Sequence, residues 1–282
     1  MKFFSKFFSF CVVITLMTPF SGAASATENA GGNWATTDIS RARLIAAKME
    51  TDGTREITLG LHIQLKPGWK TYWRSPGDSG IAPTFNWQGS KNIRTTEVLW
   101  PLPTAFDSFG FLTWGYEAEV LFPVKIKLEE IHKKLQVKLS FAYGVCKDVC
   151  VPITQKFVLN VNNIDLISSG EAAIFNRYVA QVPTSYGPNE VASDLVINKV
   201  AKDKVLVVAT TSGAFTKPVL ILEGEDGDYF AVEDTKVSNS GRRVEFSVDT
   251  DFVRRMKSNV GRVLKATIID GGVGAEGAVP IK

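Results

Sequence analysis

The stretch Leu135-Gln136-Val137-Lys138-Leu139-Ser140-Phe141-Ala142-Tyr143-Gly144-Val145-Cys146-Lys147-Asp148-Val149-Cys150-Val151-Pro152 decides how this chain is read. It opens as a strand that runs directly into Cys146, and the alternation resumes from Thr154 to Val161 as a returning strand. The two cysteines therefore occupy the connection between adjacent strands, at one end of a sheet. Four residues of extended strand span roughly 13 Å between end Cα atoms. A disulfide needs about 5.5 Å, so the segment must turn if the bond forms. A loop this small adds little stability when closed, because loop-closure entropy grows with length. The pair points to chemistry more than to architecture. Spacing alone leaves open a permanent disulfide that pins a turn. Lys147 would favour a thiolate at this site and Asp148 would oppose one.

Outward from that stretch, the only other cysteine is Cys11, inside an apolar N-terminal segment. Lys2 and Lys6 form a positive start, Phe7 to Phe20 is almost wholly apolar, and Ala24-Ser25-Ala26 offers a small-residue cleavage pattern. Residues 1–26 read as a secretory signal peptide. A retained anchor would need a longer apolar run of roughly 20 residues. No later segment is long and apolar enough to span a bilayer, so an exported protein with no direct membrane span is expected. Export to an oxidising compartment permits a bond between Cys146 and Cys150. Removing Lys2 and Lys6 leaves 30 basic against 29 acidic residues. That near-neutral balance, with no basic stripe among the aromatics, excludes a large nucleic-acid footprint. The remaining length, roughly 256 residues, suits two domains of about 100 to 150 residues.

The segment from Thr37 to Leu65 reads as a hairpin. Ala42 to Ala47 meets Ile57, Leu59, Leu61, Ile63 and Leu65 across a turn at Thr51-Asp52-Gly53-Thr54. Pro67-Gly68 and Pro76-Gly77 flank a short aromatic strand, and Thr84-Phe85-Asn86-Trp87 reads as another. Prolines in Val98 to Pro103 exclude a central sheet position. Phe106, Phe109, Phe111 and Trp114 form an aromatic stretch without regular periodicity, read as a loop over a core edge or a site. Val120 to Leu128 is a further strand. Ser168 to Val179 reads as a helix with a capping box at Ser168 and Glu171, and Ala172, Phe175, Tyr178 and Val179 on one face. Thr184 to Asn189 is a linker. Beyond it, Ser193–Ile197, Lys204–Thr210, Val219–Leu222, Tyr229–Val232, Arg243–Val248 and Val263–Ile269 are strand candidates at the spacing of a small sandwich. The acidic turn Glu223 to Asp228 lacks the spaced pattern of a calcium loop and reads as solvated.

His62 and His132 are the two histidines. His62 falls on the polar face of its strand and His132 in a turn. Neither is near the cysteines in sequence, so a cysteine hydrolase or a Cys/His zinc site has no local support. No methionine or histidine cluster accompanies the cysteines as Cu(I) ligands. No cofactor or metal is expected. Thiol-disulfide exchange needs less: an accessible thiolate, a resolving thiol and a surface that admits a partner's cysteines.

Val145-Cys146-Lys147-Asp148-Val149-Cys150-Val151-Pro152 resembles the cysteine motif of the ScsB branch of the DsbD family. So do Gly68-Trp69-Lys70-Thr71-Tyr72-Trp73-Arg74 with Pro76-Gly77-Asp78-Ser79-Gly80, and Trp100-Pro101 followed by Gly115-Tyr116-Glu117, in the expected order from about Ala35 to Val161. The resemblance implies a periplasmic thiol-disulfide oxidoreductase of the protein-disulfide reductase type. Its immunoglobulin-like sandwich would take electrons from a membrane-embedded thiol reductase and pass them to a periplasmic thioredoxin-like protein. Carried over, Cys146 and Cys150 are the redox pair, with Cys150 the one that exchanges with partners. Phe109, Phe111 and Tyr116 are candidates for the cap that shields them. Family members continue into a transmembrane and a thioredoxin-like domain. This chain ends at Lys282, so the expectation is either a separate membrane protein as electron source or another role, as a periplasmic reductase or a copper-related thiol protein.

The reading is all-β: a signal peptide at 1–26, an immunoglobulin-like, DsbD N-terminal-like redox domain at 27–167, a helix and linker at 168–188, and a second small β-sandwich at 189–282. The alternative is a non-catalytic immunoglobulin-like binding module in which Cys146-Cys150 is a structural disulfide.

Overall fold

The computed structural model describes residues 28–30, 32–49, 56–77, 79–108, 110–161, 169–224, 228, 230–250 and 261–282. The signal segment with Cys11, the turn at 51–54, Phe109, Ser168 and the centre of the acidic turn lie outside the described residues.

Two sheets build the first sandwich. One holds β1 (Glu28–Ala30), β12 (Cys150–Val161), β11 (Leu135–Cys146), β5 (Lys70–Gly77), β9 (Phe111–Glu117) and β8 (Thr104–Ser108) in that order, with β6 (Thr84–Asn86) also on β11. The other runs β2 (Ala35–Thr36), β3 (Ser40–Met49), β4 (Glu56–Leu65), β10 (Glu119–Lys127), β7 (Thr95–Val98). Alternation decides what each strand buries. Leu59, Leu61 and Ile63 of β4 and Phe122, Val124 and Ile126 of β10 meet Trp73, Phe141, Tyr143 and Val145 from the facing sheet in one apolar core. Aromatic contacts tie it together. Phe85 packs at 4.9 Å from Phe141, and Trp100 at 5.0 Å from Phe122. Helix α1 (Ser169–Val179) lies on β10 and β3, burying Phe175 and Tyr178 while Val179 stays exposed. The Tyr178 hydroxyl donates to the Glu119 carbonyl at 2.7 Å.

The second sandwich pairs the sheet β13 (Asp194–Lys199), β14 (Lys204–Thr210), β17 (Arg243–Asp249), β16 (Val232–Ser238) with the sheet β15 (Val219–Glu223), β18 (Val263–Asp270), β19 (Val273–Pro280). Val205, Val207, Val244, Phe246, Val248, Leu264 and Ile268 fill its core.

The all-β reading and the β3–β4 hairpin hold. Three expectations are corrected. The aromatic stretch is a hairpin of β8 and β9 rather than an irregular loop. Its tip turns at Gly110 (φ 84°), whose N–H donates to Asp107 Oδ1 at 3.1 Å. At a sheet edge both faces carry aromatics, which hides the period of two. The strand expected at Tyr229–Val232 begins at Val232 and runs to Ser238. It is a charged, exposed edge strand with no apolar alternation to reveal it. Finally, β19 forms beyond Val263–Ile269, the last strand expected from the sequence. Gly271 and Gly272, both at positive φ, supply the two-residue turn that returns the chain along β18.

Candidate functional site

Cys146 ends β11 and Cys150 begins β12, directly opposite one another in the hairpin register. Their Cα atoms are 4.1 Å apart and the sulfurs are bonded. Lys147 N–H donates to the Val149 carbonyl at 3.1 Å and closes the connecting turn. The two cysteines are not equivalent. Cys146 is paired on its other side with Lys70 of β5 and is 4 % exposed. Cys150 lies on β12, whose outer neighbour β1 reaches only Lys156 to Val158, and is exposed. Strand order thus buries one cysteine and exposes the other.

Strand β5 supplies the floor. Thr71 Oγ1 donates to the Gly144 carbonyl at 2.9 Å, locking β5 to β11. Thr71, Tyr116 and Val145 share one level and face the core. Lys70, Tyr72 and Cys146 project from the opposite face by the same alternation. Tyr72 is fully buried there, with its hydroxyl 3.4 Å from Cys150 Sγ. Two glycines permit this packing. A Cβ on Gly80 (φ 130°) would lie 2.6 Å from the Tyr72 ring, and one on Gly144 would lie 2.7 Å from Ile81. Phe106 of β8 adds the opposite wall, 6.0 Å from the Tyr72 ring and 4.3 Å beneath Lys70 Nζ. Lys70 also pairs with Glu117 at 3.1 Å. Gly68, Lys70, Tyr72, Phe106, Cys146 and Lys147 line a cavity of about 180 Å³ beside the disulfide.

Burial pushes the Tyr72 hydroxyl above the ordinary tyrosine range, opposed by a hydrogen bond with Ser108. It is a neutral phenol that keeps its proton. Such a group can donate to sulfur, and it does so at the sulfur a partner can reach. The arrangement suits attack by an external thiolate on Cys150 with Cys146 leaving. It could equally persist as a static cross-link.

Of the expected site residues, the structure brings together Cys146 and Cys150. Phe109 lies outside the described residues. Phe111 is 53 % exposed near the hairpin tip. Tyr116 is in the core, its hydroxyl donating to the Pro101 carbonyl at 2.7 Å and its ring 5.5 Å from Phe122, on the face away from Cys146. Tyr72 and Phe106 are the aromatics at the pair. Tyr72 stands inside a motif visible in the sequence, but only the β5–β11 register shows which of its aromatics meets the cysteines.

His62 is also corrected. It is buried rather than on a polar face, because α1 and Trp34 cover that side of β4. Its Nε2 lies 3.2 Å from Glu119 Oε2. Burial lowers its pKa, against the raising effect of Glu119. Among the described residues no group of three or more His, Cys, Asp or Glu side chains could hold a metal ion. No helix among them is long and apolar enough to cross a membrane.

Residues 42–162 match the family model described as thiol:disulfide interchange protein DsbD, N-terminal. Residues 181–282 match a domain of unknown function, DUF8393. The crystal structure of the N-terminal periplasmic domain of ScsB from Proteus mirabilis superposes with a TM-score of 0.66 at 26% identity, covering 88% of this chain and 95% of that one. A titin I9–I11 tandem (TM-score 0.19, 10% identity, 85% of this chain and 66% of that one) superposes too poorly to carry an argument. No curated protein matches the chain significantly.

Proposed function

The first domain of this chain belongs to the DsbD/ScsB family of thiol-disulfide interchange proteins, and from that premise we propose that Cys146 and Cys150 form a cycled redox pair carrying electrons between two protein partners. The observation that carries this reading is the asymmetry of the pair: a buried Cys146 bonded to an exposed Cys150 whose sulfur meets the Tyr72 hydroxyl.

In the reductive half, a thiolate of a membrane-embedded dithiol donor attacks Cys150 Sγ. The Cys146–Cys150 bond breaks, its electron pair leaves on Cys146, and a mixed disulfide joins the donor to Cys150. The donor's second thiol then attacks its own sulfur in that bond and departs as a disulfide. Two electrons and two protons remain on the cysteine pair. In the oxidative half, Cys150 attacks the disulfide of a periplasmic thioredoxin-like acceptor, and Cys146 resolves the new mixed disulfide, releasing the acceptor as a dithiol. Export by residues 1–26 and a periplasmic location fit these partners. The β8–β9 hairpin would act as the cap, with Phe106 and Phe111 among its aromatic residues.

The test is an equilibrium titration of the purified protein against graded glutathione or dithiothreitol ratios. A potential between about −180 and −270 mV, the range of exchange proteins, supports an electron carrier. A value well below about −300 mV overturns it in favour of a structural disulfide in a binding module.

A further inference from the structure

The two sandwiches meet at a part-buried ionic cluster, and it sits on the strand that carries the redox site. Arg74 of β5 donates through Nε to both carboxylate oxygens of Glu223, at 3.0 and 3.2 Å. Its Nη2 reaches Glu223 at 2.7 Å and Glu276 at 2.6 Å. Glu223 ends β15 and Glu276 lies in β19, so both carboxylates belong to the second domain. Burial opposes the Arg74 charge, but Glu223 and Glu276 outweigh it and raise its pKa. Planar guanidinium and two carboxylates form a directional, charge-assisted grip.

Apolar contacts surround it. Ile221 of β15 belongs to the core of the first sandwich, and Val219 and Ile269 pack against that core. Leu102 N–H donates to the Gln181 carbonyl at 2.8 Å. A Cβ on Gly274 would lie 2.6 Å from the Leu102 side chain, so the second domain approaches closely here.

Arg74 also lies in an irregular stretch of β5. Pairing with β9 breaks after Tyr72–Gly115 and resumes at Gly77–Thr113, which leaves Trp73 to Pro76 without ladder partners on that side. Trp73 Nε1 and Ser75 Oγ, both buried in this bulge, have no hydrogen-bond partner among the described residues. The polar anchor of the bulge is Arg74. Tyr72 stands two residues before it, at the last paired position before the bulge.

We propose that the second domain is a clamp on the exchange site: through Glu223 and Glu276 it grips Arg74, fixes the β5 bulge, and so holds the Tyr72 hydroxyl against Cys150. This rests on the thiol-disulfide reading above. Arg74 touches neither sulfur and is a positioning residue. A hydrogen bond to a thiolate is charge-assisted and stronger than one to a disulfide sulfur. The clamp therefore favours the reduced pair.

The experiment uses the whole chain. Arg74→Met alone would strip the buried Glu223 of its guanidinium partner, while Glu276 would keep Lys265 at 3.8 Å and Thr267, so the main variant combines Arg74→Met, Glu223→Gln and Glu276→Gln. Its glutathione equilibrium should shift toward the disulfide by up to about tenfold, or about 30 mV. Alkylation of Cys150 by iodoacetamide should need a higher pH. The same three changes in a Tyr72→Phe background should add nothing further. An unchanged equilibrium and pH profile, or an equal shift without the hydroxyl, overturns the clamp. If the triple variant does not fold, Glu276→Gln keeps the Glu223 fork and should shift both readouts less in the same direction; no shift overturns the proposal. Failure of the underlying reading is separate, since it would show in the unmodified protein as a potential well below about −300 mV.

Discussion

The Tyr72 hydroxyl lies 3.4 Å from the Sγ of Cys150, although 78 positions separate the two residues. The contact is made at the exposed sulfur of the pair, by a phenol that burial keeps protonated. A donor in that position matters little to a disulfide and much to a thiolate.

Tyr72→Phe should therefore leave the fold intact and weaken the reduced state. The rate of Cys150 alkylation at pH 7 should fall by about tenfold or more, since one hydrogen bond to a charged group is worth about 1.5–3 kcal/mol. Stopped-flow or mass-spectrometric alkylation reads this directly. An unchanged rate would mean that the contact is packing alone.

Cys150→Ser should abolish exchange while the protein still unfolds cooperatively. The chain-entropy relation gives about 2 kcal/mol for so short a loop, within a typical stability of about 5–15 kcal/mol. Cys146→Ser should instead accumulate mixed disulfides at Cys150, visible as covalent adducts on non-reducing gels. Loss of the unfolding transition in Cys150→Ser would mark a structural bond.

Phe106 walls the cavity beside Cys146, whereas Phe111 faces solvent. Reduction of the disulfide by dithiothreitol should speed up about three- to tenfold in Phe106→Ala, because access governs thiol exchange. Phe111→Ala should change it less.

His62 makes stability depend on mild acid. It faces Glu119 from β10, Gln64 from its own strand, Arg41 and Arg43 from β3, and the Trp34 ring. Its folded pKa lies below the ordinary histidine value of about 6.5, with burial the leading cause. As pH falls, the unfolded chain takes the proton first. The contribution of neutral His62 is thus fully present above about pH 6.5 and is lost as pH falls toward the folded value. The urea midpoint should drop between pH 7.5 and 5.5, and His62→Gln should flatten that drop. Equal drops in both proteins would assign the acid sensitivity elsewhere.

Legibility in the sequence followed locality. Leu59, Leu61 and Ile63 announced a strand because alternation is a property of neighbouring residues, and β4 is that strand. The turn at the cysteines was legible for the same reason, since a bond between residues four apart cannot form in an extended chain. Val273 to Pro280 was missed because glycines and small residues carry little apolar pattern. Its identity as β19 comes from pairing with β18. Tyr116 was placed at the cysteines by motif position, yet one step along a strand reverses the face, and its register with Thr71 turns it into the core.

The sequence by itself determined the all-β class, the strand-turn-strand around Cys146 and Cys150, and the motifs that match the DsbD N-terminal family. Each is written in residues a few positions apart. Tertiary structure decided which sulfur is open, which aromatic meets it, and that Arg74 is gripped by Glu223 and Glu276, which stand 149 and 202 positions away. Strand order and register set those relationships. They arise from burial and pairing between distant segments, so no local pattern of residues encodes them.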